Sequence, residues 1–392
     1  MTRTRLAVLI LALVAGTVLL AWPRGGEEPP AAVRAPLATL WPHARRADLP
    51  GHLADGPVFT PQLFRDERTA IGTAPTPGGD RLRLLVRGPG GPRELRRVPL
   101  RGDPVFAGFA TDGTTVAWTE SATGRPAQVW AATWDGPARR LTAGAGDVLD
   151  FGSEHDLAIA GGAVHWAAAA PRPARCGPAT EIRSVPLTGG PVTVRTEPGA
   201  WSLTAWPWLV NGSGDGTGTT RLRNTGSGSP SVHPGPECTD GLPLRDRATD
   251  VEVATAGAEL ATCRPSWCRV VVVAGGAVTR IDAMRPDGSG RRRIAGGEAS
   301  AAVADVALLD RFEVLAEERP DSALTGTQAL VVHDLASGRT AELTGTADAA
   351  NARAGVLWWS TGAPDDLVWH TLDLRTVQDA PAVRSARFPG RS

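Results

Sequence analysis

Seven histidines and four cysteines are the residues of this chain with the most chemical potential. The histidines are scattered, and no pair has the spacing that would place two metal ligands on one strand. His155 and Asp156 are adjacent, but neighbouring residues of a strand point to opposite faces, which disfavours a catalytic dyad. The G-x-S-x-G motif of a hydrolase nucleophile does not occur. The sequence therefore predicts no catalytic residue, no cofactor-binding residue and no metal ligand.

The cysteines are even in number, which suits disulfide bonds in an exported protein. Cys263 and Cys268 flank the tetrapeptide R-P-S-W between two strand-like runs, so we expect a disulfide across the mouth of a hairpin. Cys176 and Cys238 lie in segments rich in Pro and Gly, and we expect a second disulfide between them that joins adjacent repeats. A zinc site is the alternative, although the C-x2-C pairs and histidine spacing of such a site are missing.

The N-terminus has the pattern of an export signal. Two arginines, Arg3 and Arg5, precede an uncharged apolar run over residues 6–22. This run is near the lower limit for spanning a bilayer and longer than a typical signal-peptide core. We therefore interpret residues 1–26 as an uncleaved signal anchor with the body outside the cytoplasm, and a cleaved, secreted form is the alternative. The apolar side chains expected to contact the bilayer include Leu6, Leu9, Leu13, Leu20 and Trp22.

Residues 27–56 are rich in Pro, Ala and Arg and have no apolar period, so they are interpreted as a linker. Within them, Leu37, Leu40 and Trp41 could form a short turn that packs on the body. The zero net charge gives no reason to expect a nucleic-acid partner.

Residues 57–392 contain a repeat of short apolar runs bounded by Gly, Asp, Pro and Asn. Its anchors recur at spacings of roughly 42 to 54 residues, near the length of propeller repeats. We take these anchors to be Ile71, Val116, Val164, Trp206, Leu260, Val314 and Val356. The pattern predicts an all-β propeller of seven four-stranded blades, with six or eight as alternatives. Residues 57–59 or 382–388 are the candidates for the strand that closes the ring.

Two repeats carry a family resemblance. The motif D-G-x-x-V-A-W at residues 112–118 and the motif M-R-P-D-G-S-G at residues 284–290 resemble the TolB-like, WD40-like propeller repeats that are shared with dipeptidyl-peptidase-type propellers. With the anchor, the chain is similar to membrane-anchored members of that family in high-GC bacteria. The resemblance implies a propeller with a binding or envelope-assembly role, and it brings no catalytic residues with it.

These observations favour a non-catalytic, membrane-tethered scaffold that binds a protein, a peptide or a glycan where the loops of the blades converge. The alternative is a propeller lyase or hydrolase with its site in the central funnel. Such an enzyme needs acidic or histidine side chains that converge on the axis, and the sequence does not reveal a cluster of that kind.

Overall fold

A computed structural model of the protein describes residues 34–171, 177–212, 219–227 and 250–378. The expected signal anchor and the two cysteines Cys176 and Cys238 lie outside these residues. No helix within the described residues is long and apolar enough to cross a bilayer.

The strands of the described residues form seven sheets arranged as the blades of a propeller, which confirms the predicted all-β fold and the blade number. The chain enters through strand β1 (Ala35–Pro36), helix α1 (Leu37–Leu40) and strand β2 (Arg46–Pro50). The first blade contains β3 (Thr60–Phe64), β4 (Ala70–Pro75), β5 (Arg81–Gly88) and β6 (Gly91–Pro99). The second contains β7 (Val105–Thr111), β8 (Thr115–Ala122), β9 (Arg125–Thr133) and β10 (Arg139–Thr142). The third contains β11 (Asp147–Val148), β12 (Leu157–Ala160), β13 (Ala163–Ala169), β14 (Ala179–Pro186) and β15 (Thr193–Pro198).

The later blades follow the same order. The fourth contains β16 (Ser202–Leu203), β17 (Trp208–Asn211), β18 (Thr219–Asn224) and β19 (Asp250–Ala254). The fifth contains β20 (Glu259–Cys263), β21 (Cys268–Ala274), β22 (Ala277–Met284) and β23 (Arg292–Gly296). The sixth contains β24 (Ala299–Ala301), β25 (Phe312–Glu317), β26 (Gln328–Asp334) and β27 (Thr340–Ala347), and β1 is added to it. The seventh contains β28 (Ala349–Arg353), β29 (Val356–Thr361) and β30 (Val368–Asp373). The short helix α2 (Ser322–Thr325) and 3-10 turns at Thr225–Ser227, Pro364–Asp366 and Leu374–Thr376 complete the described elements.

The first strand of each blade lies on the inside of the ring. Contacts between β28 and β3, between β3 and β7, and between β7 and β12 join first strands of neighbouring blades. The chain then runs outward through each sheet, so loops that precede or follow first strands lie near the central axis.

The ring closes through a strand from the N-terminal side. Strand β2 pairs antiparallel with β30 and forms the fourth strand of the seventh blade. In this pairing Asp48 lies opposite His370. Residues 57–59 contribute only an isolated bridge between Val58 and His52, and residues 382–388 lie outside the described part of the chain. The closing strand escapes sequence reading because it carries just two apolar side chains, Ala47 and Leu49, among polar residues and proline.

Helix α1 packs onto the sixth blade, as expected for a short turn at this position. Leu37, Leu40 and Trp41 are buried, and the Trp41 ring meets the Phe312 ring edge-on at 5.7 Å. Both α1 and β2 fall within residues 27–56, for which the sequence suggested a linker. Strand β1 pairs with β27 and β2 pairs with β30, so the propeller takes up backbone hydrogen-bonding groups of a segment that has little apolar period of its own.

Second strands are apolar on both faces because each lies between two neighbouring blades. In β29, Trp358 points to a core shared with the first blade, where its ring lies 5.2 Å from that of Phe64. The next residue, Trp359, points to a core shared with the sixth blade, which also contains Leu330. Alternation along one strand thus fills two separate cores. The repeat anchors contain consecutive apolar residues because both faces of a second strand pack into a core.

Two of the predicted anchors do not lie on second strands. Trp206 precedes β17, and Leu260 belongs to β20, the first strand of the fifth blade. The valine-rich run of β21 is the true second strand there. The long stretch between β18 and β19 lengthens the fourth repeat, so that spacing alone places the fifth unit incorrectly, while Trp206 falls two residues before β17.

Candidate functional site

The inner strand of the third blade is interrupted. Its two parts, β11 and β12, pair with opposite ends of β13, and residues 149–156 leave the sheet between them. This segment reads L-D-F-G-S-E-H-D and is too polar to form a strand with two apolar faces. Gly152, with φ of +73°, permits the turn. The interruption carries Glu154 and His155 away from the sheet toward the axis.

The inner strand of the sixth blade is also short. Strand β24 ends at Ala301, and the chain reaches β25 through residues with left-handed backbone at Ala307, Leu309 and Asp310, where φ is +49°, +55° and +57°. Each such residue costs about 1–2 kcal/mol relative to ordinary backbone. Surrounding contacts must therefore hold this loop, which carries Asp305.

A buried ion pair holds the loop. Arg269 donates hydrogen bonds of 2.9–3.4 Å to the carbonyl oxygens of residues 303–305 and one of 3.2 Å to Glu313 Oε2. Glu313 Oε1 accepts from the amide of Ala307 at 2.6 Å. Burial raises the pKa of the Glu313 carboxyl, while the charge of Arg269 opposes this shift. The pair fixes the path of the backbone around Asp305.

The two loops meet across the axis, since the third and sixth blades are not neighbours in the ring. Ser153 Oγ donates to Asp305 Oδ1 at 2.6 Å, and the Glu154 amide donates to Asp305 Oδ2 at 2.8 Å. The Glu154 carboxylate accepts from the Ala354 amide at 2.9 Å and from Arg264 Nη1 at 3.4 Å. Elements of four blades therefore converge on one small volume.

Arg353, at the end of β28, supports the third-blade loop from the seventh blade. Its buried guanidinium donates to the carbonyl oxygens of Phe109 at 3.0 Å, Ser153 at 2.9 Å and Gly152 at 3.4 Å. We call the group of charged and polar side chains that meet here the axial cluster. It comprises Ser153, Glu154, His155, Arg264, Asp305 and Arg353.

His155 stands out within the axial cluster. Its Nε2 atom is buried without a hydrogen-bond partner among the described residues, and it lies 3.5 Å from Glu154 Oε1. Burial, followed by the charge of Arg264, lowers the pKa of His155 to about 3, so the ring is neutral. Burial, followed by the charge of Asp305, raises the pKa of Glu154. One imidazole nitrogen and two carboxylates lie within 4.8 Å of one another, an arrangement that could hold a metal ion.

Asp156 does not act as a partner of His155. Its carboxylate accepts from the amides of Phe151 at 3.0 Å and Ser153 at 2.9 Å on the other side of the loop. Burial, together with a hydrogen bond to Asp150, raises the pKa of Asp156 to about 8. The adjacent His155 and Asp156 therefore form no dyad with each other.

A cavity of about 530 Å³ lies beside the axial cluster. Its walls come from the third to sixth blades and are mainly apolar, with Trp201 and Phe151 as the aromatic residues. Phe151 is 61% exposed, so an aromatic face is accessible to a ligand at the wall. Its ionisable lining consists of Asp305 and Arg264 of the axial cluster together with Asp156. Size and lining match those of small-ligand and peptide sites.

The predicted disulfide between Cys263 and Cys268 is present. It joins β20 and β21 at the hairpin that carries Arg264 and Trp267. The Trp267 indole donates to the Asp310 carbonyl at 3.1 Å, so this hairpin packs on the loop that presents Asp305. The bond thus lies directly behind the axial cluster.

Two histidines of the propeller are packed against tryptophan rings. His165 stacks on Trp206 at 3.8 Å, and His370 stacks on Trp359 at 5.4 Å. Sequence reasoning missed the axial cluster. Two signals could have revealed it: the consecutive ionisable residues 154–156 directly before the inner strand β12, and a lone aspartate, Asp305, inside the apolar run of residues 301–309.

Comparison with known proteins places the fold in the class of seven-bladed propellers. A prolyl endopeptidase matches over 97% of this chain and 54% of its own, with a TM-score of 0.50 and 14% identity. A puromycin-hydrolysing peptidase of Mycobacterium tuberculosis matches over 91% and 57%, with a TM-score of 0.49 and 14% identity. The chain therefore spans little more than half the length of these peptidases.

TolB from Acinetobacter baumannii is a further structural neighbour, matched over 78% of this chain and 63% of its own, with a TM-score of 0.33 and 11% identity. No protein-family model matches the sequence, and no curated protein matches it. At 14% identity, the prolyl endopeptidase supports the fold alone.

Proposed function

We propose that the protein is a membrane-tethered, extracytoplasmic propeller that binds a peptide segment of a cell-envelope protein in the cavity beside the axial cluster. The cavity is the observation that supports this proposal. It offers a mainly apolar wall with an exposed aromatic ring, and polar side chains such as Arg264, Asp305 and Asn211 lie among the lining. The apolar wall suits the side chains of a peptide, and the polar groups suit its backbone.

The proposed location rests on two features of the chain. The basic residues and apolar run at the N-terminus have the order of an export signal. The disulfide between Cys263 and Cys268 belongs to a class of bond that persists in oxidising compartments and is rare in the cytosol. Both features favour a body that lies outside the cytoplasm.

A blocked cavity provides the test of binding. Ala200 is exposed and lines the cavity, so Ala200→Trp places a large side chain in it at little cost to folding. Ala277 is another exposed alanine, on the fifth blade, and it does not line the cavity, so Ala277→Trp is the matched control. We expect wild type and Ala277→Trp to capture the same protein from solubilised membranes, and Ala200→Trp to lose it. Calorimetry with a peptide of that protein should then show saturable binding to wild type and Ala277→Trp, and loss of binding in Ala200→Trp.

Equal capture by all three proteins would overturn the cavity as the binding site. Binding of a soluble glycan fragment in place of the peptide would change the ligand class.

A reporter fusion provides the test of location. Residues 1–34 end just before β1, so joining them to a phosphatase that folds only outside the cytoplasm leaves the propeller out of the experiment. We expect the phosphatase to be active and membrane-bound. Activity in the culture medium would indicate cleavage and secretion, and an inactive phosphatase would refute export.

The axial cluster supports a second candidate, a propeller enzyme. Acidic and histidine side chains do converge on the axis, which is the feature that the enzyme alternative requires. All four carboxylate oxygens of Glu154 and Asp305 nevertheless accept hydrogen bonds already, from Ser153, the Glu154 amide, Ala354 and Arg264. Turnover of a peptide substrate by wild type, lost on replacement of Asp305, would favour the enzyme over the binding module.

A further inference from the structure

We infer that Glu154, His155 and Asp305 form a binding site for one divalent transition-metal ion, with Zn²⁺ as the ion that their donors suit best. The inference concerns the axial cluster alone and does not depend on the proposed peptide ligand. Zinc accepts both imidazole nitrogen and carboxylate oxygen as ligands. Mg²⁺ and Ca²⁺ prefer oxygen ligands throughout, so the imidazole discriminates against them.

The distances require an adjustment. The three donor atoms lie within 4.8 Å of one another, whereas two ligands of a tetrahedral zinc ion are about 3.4 Å apart for bonds of about 2.0–2.1 Å. Glu154 and His155 are neighbours in a loop rather than in a strand, so both side chains can face the same point. Side-chain rotations that move the donor atoms by about 1 Å bring them to this separation.

The unpartnered nitrogen of His155 is an independent reason to expect an ion. Nε2 is buried, and its nearest carboxylate oxygen at 3.5 Å is beyond hydrogen-bonding distance. Leaving a buried polar atom without a partner costs about 1–3 kcal/mol. A metal ion between Nε2 and the two carboxylates would satisfy this atom.

His333 shows that a buried histidine alone is not enough. Its Nε2 atom is likewise buried without a partner. Among the described residues, however, the group of possible ligands is that of Glu154, His155 and Asp305, and His333 is not part of it. The combination of an unpartnered imidazole with two carboxylates distinguishes the axial site.

Arg264 is the competitor of the ion. Its Nη1 atom lies 3.4 Å from Glu154 Oε1, where it partly neutralises the carboxylates. An arriving dication would meet this positive charge and displace it. Removing the charge should therefore strengthen metal binding, a result that a purely structural role for the cluster does not predict.

The experiment titrates Zn²⁺ into untagged, chelator-treated full-length protein in detergent and measures binding by calorimetry. We expect one Zn²⁺ per chain, with no displacement by a large excess of Mg²⁺. His155→Gln should weaken binding at least about tenfold, while His333→Gln, the matched control, should leave it unchanged. Arg264→Gln should tighten binding several-fold.

Absence of stoichiometric Zn²⁺ binding by the wild-type protein would overturn the inference, as would unchanged affinity in folded His155→Gln. If His155→Gln does not fold, the wild-type titration and Arg264→Gln still test the inference. Zn²⁺ binding by Arg264→Gln that is weaker than or equal to that of wild type contradicts it. Capture of the envelope partner is measured separately, so failure of one proposal is distinguishable from failure of the other.

Discussion

The hydroxyl of Ser153 and the carboxylate of Asp305 meet at 2.6 Å although the two residues belong to blades on opposite sides of the ring. The same carboxylate accepts the Glu154 amide with its other oxygen. A propeller held together by neighbour contacts alone would have no such cross-brace. The axial contact therefore adds a tie between blades that do not touch through their sheets.

The first prediction concerns this tie. Ser153→Ala removes the donor to Asp305 and the acceptor of the His155 amide in a partly buried site, so we expect a loss of about 1–3 kcal/mol of unfolding free energy. Ser266 donates to Asp310 in the same chemical manner at 3.0 Å but on the surface. Ser266→Ala should therefore change stability by no more than about 0.5 kcal/mol. Denaturant unfolding measures both, and equal losses would contradict the special role of the axial contact.

The second prediction concerns the buried pair behind Asp305. Arg269→Met leaves the Glu313 carboxylate buried without its partner, which should cost about 3–5 kcal/mol. Glu313→Gln in the same chain removes the charge and keeps an acceptor for the Ala307 amide, so the double variant should be more stable than Arg269→Met. The exposed pair of Arg319 and Glu342 is the control, and Arg319→Met should change stability by less than about 1 kcal/mol. Additive losses in the double variant would show that the two charges do not interact.

The third prediction concerns acid sensitivity. Burial lowers the pKa of His333 to about 4, below its ordinary value of 6.5. Unfolded chains take up a proton at this residue as the pH falls below 6.5, and folded chains do so only near pH 4, so stability declines across that window. His333→Gln should reduce the stability lost between pH 7 and pH 5 by about 2 kcal/mol. Unfolding curves at both pH values measure the difference.

His52 should have the opposite effect on the pH dependence of stability. Hydrogen bonds to the carbonyl oxygens of Gly56 and Pro364 raise its pKa, so its contribution is present at low pH and disappears as the pH rises through the folded pKa. His52→Gln should therefore leave the protein more sensitive to acid, whereas His333→Gln makes it less so. If both variants changed the acid sensitivity in the same direction, the opposite pKa shifts of His52 and His333 would be refuted.

The fourth prediction concerns ring closure. Asp48 lies opposite His370 in the pairing of β2 with β30, and their side chains are hydrogen-bonded at 2.8 Å. Asp48→Cys with His370→Cys should form a disulfide on mild oxidation and raise the melting temperature, because the cross-link closes a loop of most of the chain. Asp48→Cys with Val368→Cys is the offset control, since Val368 pairs with Pro50, and it should cross-link far more slowly. Gel mobility without reductant reports the bond, and equal cross-linking of both pairs would contradict the register.

The repeated blades could be predicted from the sequence, but the axial cluster could not. Runs such as the one around Trp358 reveal a blade because every second strand must be apolar on both faces, and this requirement acts over a few residues. Contacts such as that of Glu154 with Arg264 join residues far apart in the chain, and their pairing depends on which loops leave the inner strands. The closing strand β2 was hidden for a similar reason, since its partner lies near the other end of the chain.

The pairing of β2 with β30 also sets the order of events when the protein is made. The amide of Ala47 and the hydroxyl of Thr371, which meet in the closed ring, are 324 residues apart. At about 5–20 residues per second, the ribosome needs roughly 15–65 seconds to synthesise the stretch between them. Individual blades can form during that interval, but strand β2 stays unpaired until β30 has been synthesised. Completion of the wheel is therefore a single late step, and an agent that shields open strand edges in the meantime would have the greatest influence on its yield.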